Sequence, residues 1–218
     1  MRYLFFILLI SVLTCCKQEK NTASSFEFYP DTTITSVDSF YKQKINILTS
    51  IYNLQDLTKG TSDSLIIRFW PWYAFEPFSN MFEFRLDSFG WKGYHYCSYT
   101  FMTNDGFVYL KGHENLGDDV FVVKKITPRC GWKNLYDSIL LFQLKTLPTQ
   151  SLIKKFEFKG ILDGYALEFE IATKNSYRWI HYSNPNSYPY KECHLIDELE
   201  GMFIRQFGDD YYWPTSSK

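Results

Sequence analysis

The sequence predicts an α+β fold, with antiparallel sheet of about eight strands in two meanders and about three helices packed on one face. Three observations carry that expectation. Segments with the two-residue alternation of strands come in runs, five and then three, instead of alternating singly with helices. Short turn signals such as Asp105-Gly106 and Asp163-Gly164 join neighbouring runs, which favours hairpins. Three further segments space their apolar residues at the helical period.

Taken in order, residues 38–57 bring Phe40, Ile45, Leu48, Ile51 and Tyr52 to helical spacing, with Asp38 or Ser39 as cap. After the break at 59–63, residues 65–72 read as a strand with Leu65, Ile67 and Phe69 on one side. Residues 81–86 alternate strictly, with Phe82, Phe84 and Leu86 opposite Met81, Glu83 and Arg85. Segments 94–102, 107–111 and 120–126 complete the first meander. Residues 134–147 read as a helix, with Leu135, Ile139 and Phe142 on one face and Asn134 and Asp137 resembling a capping box. Segments 155–161, 165–173 and 177–182 form the second meander. The helix expected at 192–207 stripes Leu195, Ile196, Leu199, Met202, Phe203 and Phe207, and Gly208 stops it.

Composition narrows the class. Hydrophobic residues make up 45% and charged residues 22%, so the chain can build a packed core and is neither disordered nor polytopic in a membrane. Aromatic residues reach 20%, enough to form a large core from few side chains. The formal charge of −1 comes with no basic stripe, and a nucleic-acid partner is not expected.

The first residues have their own logic. Arg2 precedes an apolar stretch at 4–13 that is too short for a permanent span and has the length of a signal-peptide core. Leu13-Thr14-Cys15-Cys16-Lys17 follows. This resembles the lipobox of bacterial lipoproteins, in which the final cysteine of a short apolar-small motif receives diacylglycerol. The relaxed motif and the Asn/Lys/Ile/Tyr/Phe-rich composition resemble lipoproteins of Bacteroidota. With Cys16 modified, Cys15 takes the small-residue place and Leu13 the apolar one; with Cys15 modified, Thr14 takes the small-residue place. The resemblance implies a signal peptide at 1–15, a lipidated cysteine and polar tether at 16–35, and one globular domain at 36–214. It also implies anchoring to a membrane of the cell envelope, and Lys17 after Cys16 favours the outer membrane.

No string in the chain matches HExxH, GxSxG, a phosphate-binding P-loop, an EF-hand, GxGxxG or CxxC, so no cofactor is expected. Cys97, Cys130 and Cys193 allow one internal bridge at most. His95 and Cys97 share a strand face, but no orienting third group is identified. His113, Glu114, Asp118 and Asp119 read as a solvated turn. Asp163 reads as a turn residue, and Glu168 and Glu170 as the polar face of a strand.

The densest cluster is Trp70-Pro71-Trp72-Tyr73-Ala74-Phe75-Glu76-Pro77-Phe78, at a strand end and loop. Exposed rings there, with Trp91 nearby, could stack on a sugar or receive a partner's apolar anchor. Tyr177, Trp179 and His181 share one strand face and could add to it. The candidate binding residues are therefore Trp70, Trp72, Tyr73, Phe75 and Trp91, for a protein or glycan partner in the envelope. The alternative is an exported hydrolase, which requires at least two of His95, His113, His181, Asp105 and Glu114 to converge.

Overall fold

The computed structural model describes residues 36–74, 76–103, 106–109, 121–161 and 164–208. It shows an α+β arrangement with one antiparallel sheet. Helix α1 (Ser36–Ile51) comes first, then strands β1 (Leu65–Tyr73), β2 (Phe78–Asp87), β3 (Gly90–Thr103), β4 (Gly106–Tyr109) and β5 (Val122–Ile126). Helix α2 (Trp132–Leu141), the hairpin β6 (Tyr165–Thr173) and β7 (Ser176–Ser183), and helix α3 (Lys191–Phe207) follow.

The strands lie in the order β4-β3-β2-β1-β6-β7, and β5 also pairs with β3. Strand β3 is long enough to serve both: Gly93–Cys97 pair with β5, and Thr100–Thr103 with β4. The last hairpin does not build a second meander of its own. It adds β6 antiparallel to β1, in register from Ile66↔Ala172 to Tyr73↔Tyr165, and so merges everything into one sheet.

That placement makes β1 a central strand, which is why Leu65 to Trp72 are buried on both faces. Pro71 fits because its ladder to β2 is recorded only from Leu65 to Phe69, and Pro71 is paired with Leu167 of β6 alone.

Segment 155–161, expected as an eighth strand, is not one. The free edge of β7 is already occupied by side chains that imitate a strand. Gln150 Nε2 donates to Ser183 O at 3.0 Å, and Ser183 N donates to Gln150 Oε1 at 2.8 Å. The Thr149 hydroxyl serves His181 N and O in the same way. Segment 155–161 is held instead by tyrosine hydroxyls, with Glu157 N donating to Tyr190 Oη and Lys159 N to Tyr188 Oη.

The helices do not share one face, contrary to expectation. One sheet face carries Leu65, Ile67, Phe69, Phe82, Phe84, Leu167, Phe169, Ile171 and Ile180, and packs against Leu135 and Ile139 of α2 and Ile196, Leu199, Phe203 and Phe207 of α3. The opposite face carries Trp70, Trp72, Met81, Tyr96, Ala166 and Trp179, and packs against Ile45 and Leu48 of α1 and against Tyr52. With β1 and β6 central, both faces are covered, and the helices divide between them.

Two helix ends also differ from expectation. Helix α1 stops at Ile51 because Asn53 takes the left-handed conformation at φ 51°, a common residue for that role. Helix α2 starts at Trp132 after Gly131, so Asn134 lies inside it, donating to Cys130 O at 2.8 Å, and does not cap. Among the described residues, no helix is long and apolar enough to cross a membrane.

Candidate functional site

The face under α1 is unlike the other. Where α2 and α3 cover a mainly apolar core, with Arg178 and His95 among its buried polar groups, α1 covers a layer in which charge and aromatic rings interleave. Strand parity places Arg68, Trp70 and Trp72 of β1 there with Glu83 of β2, Glu168 and Glu170 of β6, and Tyr177, Trp179 and His181 of β7. Cross-strand pairing then sets Glu83, Arg68, Glu170 and Trp179 in one row. Trp70, Glu168 and His181 form the next.

Arg68 joins the two rows' neighbours into a network. Its Nε donates to Glu83 Oε2 at 2.7 Å, its Nη2 to Gln55 O at 2.8 Å, and its Nη1 lies 3.7 Å from Glu170 Oε2. Glu83 also accepts from Arg85 Nε at 2.5 Å. Indole N–H groups also serve the carboxylates: Trp70 Nε1 donates to Glu170 Oε2 at 3.0 Å and Trp179 Nε1 to Glu168 Oε2 at 3.4 Å. Tyr177 Oη donates to Glu170 Oε1 at 3.1 Å. His181 Nδ1 lies 3.1 Å from Glu168 Oε1. Burial pushes the Glu170 carboxyl above its usual range, and the nearby Arg68 guanidinium pulls against that.

Helix α1 supplies the roof. Tyr41 packs on His181 with ring centres 4.5 Å apart, and Lys44 Nζ stands 3.8 Å from the Trp72 ring centre. Burial, and secondarily the Glu168 charge, pushes the Tyr41 phenol up to about 12. Burial pulls the Lys44 ammonium down to about 8, against an opposing effect of Glu168. At the far end Tyr52 Oη bonds Ser98 Oγ at 2.9 Å and Ser79 O at 3.0 Å. The roof is rotated from the stripe expected from sequence: Phe40 is 48% exposed, and Tyr41 and Lys44 turn toward the sheet.

No family model matches this chain, and no curated protein matches it either. Its chemistry rests on its own geometry.

Among the described residues, the expected exposed aromatic platform is not there. Trp70 is fully buried and Trp72 is 6% exposed, because they sit in a central strand beneath α1 and do not project from a loop. Tyr73 is half-buried on the other face, donating to Glu200 Oε1 and stacking on Tyr165 at 6.0 Å. Trp91 is half-buried and stacks on Trp132 at 6.0 Å, with Tyr136 at 5.2 Å, well apart from the α1 layer. Phe75, Cys15 and Cys16 lie outside the described residues, as do Asp105, His113, Glu114, Asp118, Asp119 and Asp163. Trp179 and His181 share a face, as their strand parity required, and pairing through β6 makes it the face of Trp70 and Trp72.

Glu168 and Glu170, expected as the polar face of a strand, are on a face that is buried. His95 lies on the opposite sheet face from His181: it bonds Asn80 Oδ1 at 2.9 Å and stacks on Phe82 at 4.4 Å, so these two histidines cannot form one centre. Cys97 is buried near His95, and burial pushes its thiol far up, which makes it unreactive. No three metal-ligating side chains cluster among the described residues.

A hollow of about 230 Å³, lined by residues including Lys59, Lys174 and Tyr177, opens beside the β6–β7 turn. It is smaller than the usual small-molecule site. Through Tyr177 it touches the outer end of the network.

Sequence reasoning missed Arg68, Glu83, Tyr41 and Lys44. One signal was available: Arg68 interrupts an otherwise apolar strand, and its expected hairpin partner offers Glu83.

Proposed function

We propose that this protein is an exported lipoprotein, anchored to a membrane of the cell envelope through lipid on Cys16 or Cys15. Its domain is a non-catalytic binding module for a protein or glycan of that envelope. The leader and lipobox-type motif support the anchor.

One observation supports binding above a purely architectural role. Five ionisable side chains, Arg68, Glu83, Glu168, Glu170 and His181, are buried in the layer under a single helix. For stability alone, well-packed apolar residues serve as well or better than buried ions. The other face, under α2 and α3, buries fewer of its strand ionisable groups, Arg178 and His95, beside a larger apolar cluster. Tryptophans set between carboxylates are, in contrast, suited to holding a polar ligand from both its flat and its charged sides.

The test is crosslinking of the tagged, lipidated protein in cells, followed by mass spectrometry, with Trp72→Ala alongside the wild type. A reproducible partner lost in the variant supports the reading. A wild type that captures neither protein nor glycan removes it. Intact mass of membrane-extracted protein tests the anchor, and retention of residues 1–15 would sink that part.

A further inference from the structure

Helix α1 lays two lysines on two tryptophans of the sheet. Lys44 Nζ lies 3.8 Å from the centre of the Trp72 ring, and Lys42 Nζ lies 5.2 Å from that of Trp179. Those rings belong to β1 and β7, and Glu168 stands on β6 between them. The Glu168 charge favours the Lys44 ammonium, against the larger effect of burial. A cation over aromatic faces with a carboxylate close by is how proteins recognise ammonium groups. Here the cation belongs to the chain itself.

The resident is imperfectly accommodated. The indoles of Trp70 and Trp179 both reach carboxylates, whereas the buried Trp72 indole N–H meets no hydrogen-bond acceptor among the described residues. Orphaned buried donors of this kind are uncommon in a finished core. Ile45 and Leu48 are buried apolar side chains of the helix, with Tyr41 and Ile51 packed beside them, while Phe40 and Ile47 stay exposed.

We infer that the Trp72–Glu168–Trp179 layer is a recognition site for a lysine side chain presented by a partner protein, and that Lys44 is its built-in competitor. This rests on the binding-module reading above and names its ligand chemistry. Helix α1 lifts from β1, β6 and β7, the partner's ammonium takes the place over Trp72, and Glu168 neutralises it.

The experiment uses the full lipidated chain in detergent micelles, with N-acetyl-lysine methylamide and tetramethylammonium chloride as probes and equal sodium chloride as control. Tryptophan fluorescence reads binding. Removing the resident cation with Lys44→Ala lifts the competition, and the probes are expected to bind about ten-fold tighter or better. Lys44→Arg retains wild-type behaviour, and Trp72→Ala added to Lys44→Ala abolishes binding. Circular dichroism confirms that the variants keep their sheet.

A second readout needs no variant. In the wild type, saturating probe accelerates tryptic cleavage after Lys42 and Lys44 relative to the salt control. Unchanged probe affinity in a folded Lys44→Ala protein, together with unchanged cleavage, overturns the site. If a partner is still captured in cells under those results, the ammonium site falls alone and the binding module stands.

Discussion

Arg68 of β1 and Glu83 of β2 are cross-strand partners whose side chains meet at 2.7 Å between Nε and Oε2, with no solvent exposure on either. Glu83 shares its other oxygen with Arg85, and Arg68 spends a second nitrogen on the Gln55 carbonyl. The pair is therefore hydrogen-bonded from several sides, with Arg68 Nη1 left to the longer contact with Glu170, and this offsets part of the cost of its burial. Removing one member uncovers that cost. Arg68→Met is expected to lower stability by about 3–5 kcal/mol, because Glu170 stays buried without a cation and Glu83 keeps only Arg85. Adding Glu83→Leu should recover part of the loss. Urea unfolding followed by circular dichroism checks both, and a single variant within 1 kcal/mol of wild type would contradict the network.

Lys44 gives the protein a pH signature. Its ammonium titrates near 8 in the folded chain and at its ordinary value of 10.5 when unfolded. Between those values the unfolded chain holds more protons, so stability rises with pH. Above 10 the sign reverses, because tyrosines such as Tyr41 and Tyr96, raised to about 12, ionise first in the unfolded chain. Denaturant midpoints should climb from pH 8 toward 9.5 and then fall. In Lys44→Met the climb disappears and the fall remains.

The end of the β7 edge at Ser183 depends on one side-chain amide. Gln150→Ala leaves Ser183 N–H and C=O without the partners they have now, at an expected cost of about 1–3 kcal/mol. An uncovered edge also invites pairing with another copy. Thermal unfolding and light scattering would register both effects, and a variant as stable and as monodisperse as its parent would deny the edge its role.

The three cysteines of the domain should separate cleanly by accessibility. Cys97 and Cys193 are buried and their thiols are pushed up, Cys193 to about 11, whereas Cys130 is half-exposed. Peptide mapping after brief alkylation of the folded protein is expected to find label on Cys130 and on neither of the others until denaturant is added.

Much of the architecture was legible because it is local. The alternation in Met81 to Leu86 belongs to β2, and the stripe of Leu199, Met202 and Phe203 belongs to the buried side of α3. Segment 155–161 was misread because its residues carry strand-like patterning, while the edge they would need is taken by Thr149 and Gln150. Side-chain mimicry of a strand leaves no periodic trace.

The candidate site divides along the same line. The sequence by itself determined that Glu168 and Glu170 share a strand face, and that Tyr177, Trp179 and His181 do too, since successive residues of a strand point to opposite sides. It could not determine that those faces are the same face, nor that they are buried. A two-residue period is identical whichever side meets solvent. Only tertiary structure decided it, by inserting β6 beside β1 and laying α1 across the side that α2 and α3 leave uncovered. Burial then turned what reads locally as the polar face of a strand into a charged aromatic layer, because withdrawing water from Arg68, Glu83 and Glu170 makes them pair with one another and with neighbouring indole, phenol, guanidinium and carbonyl groups.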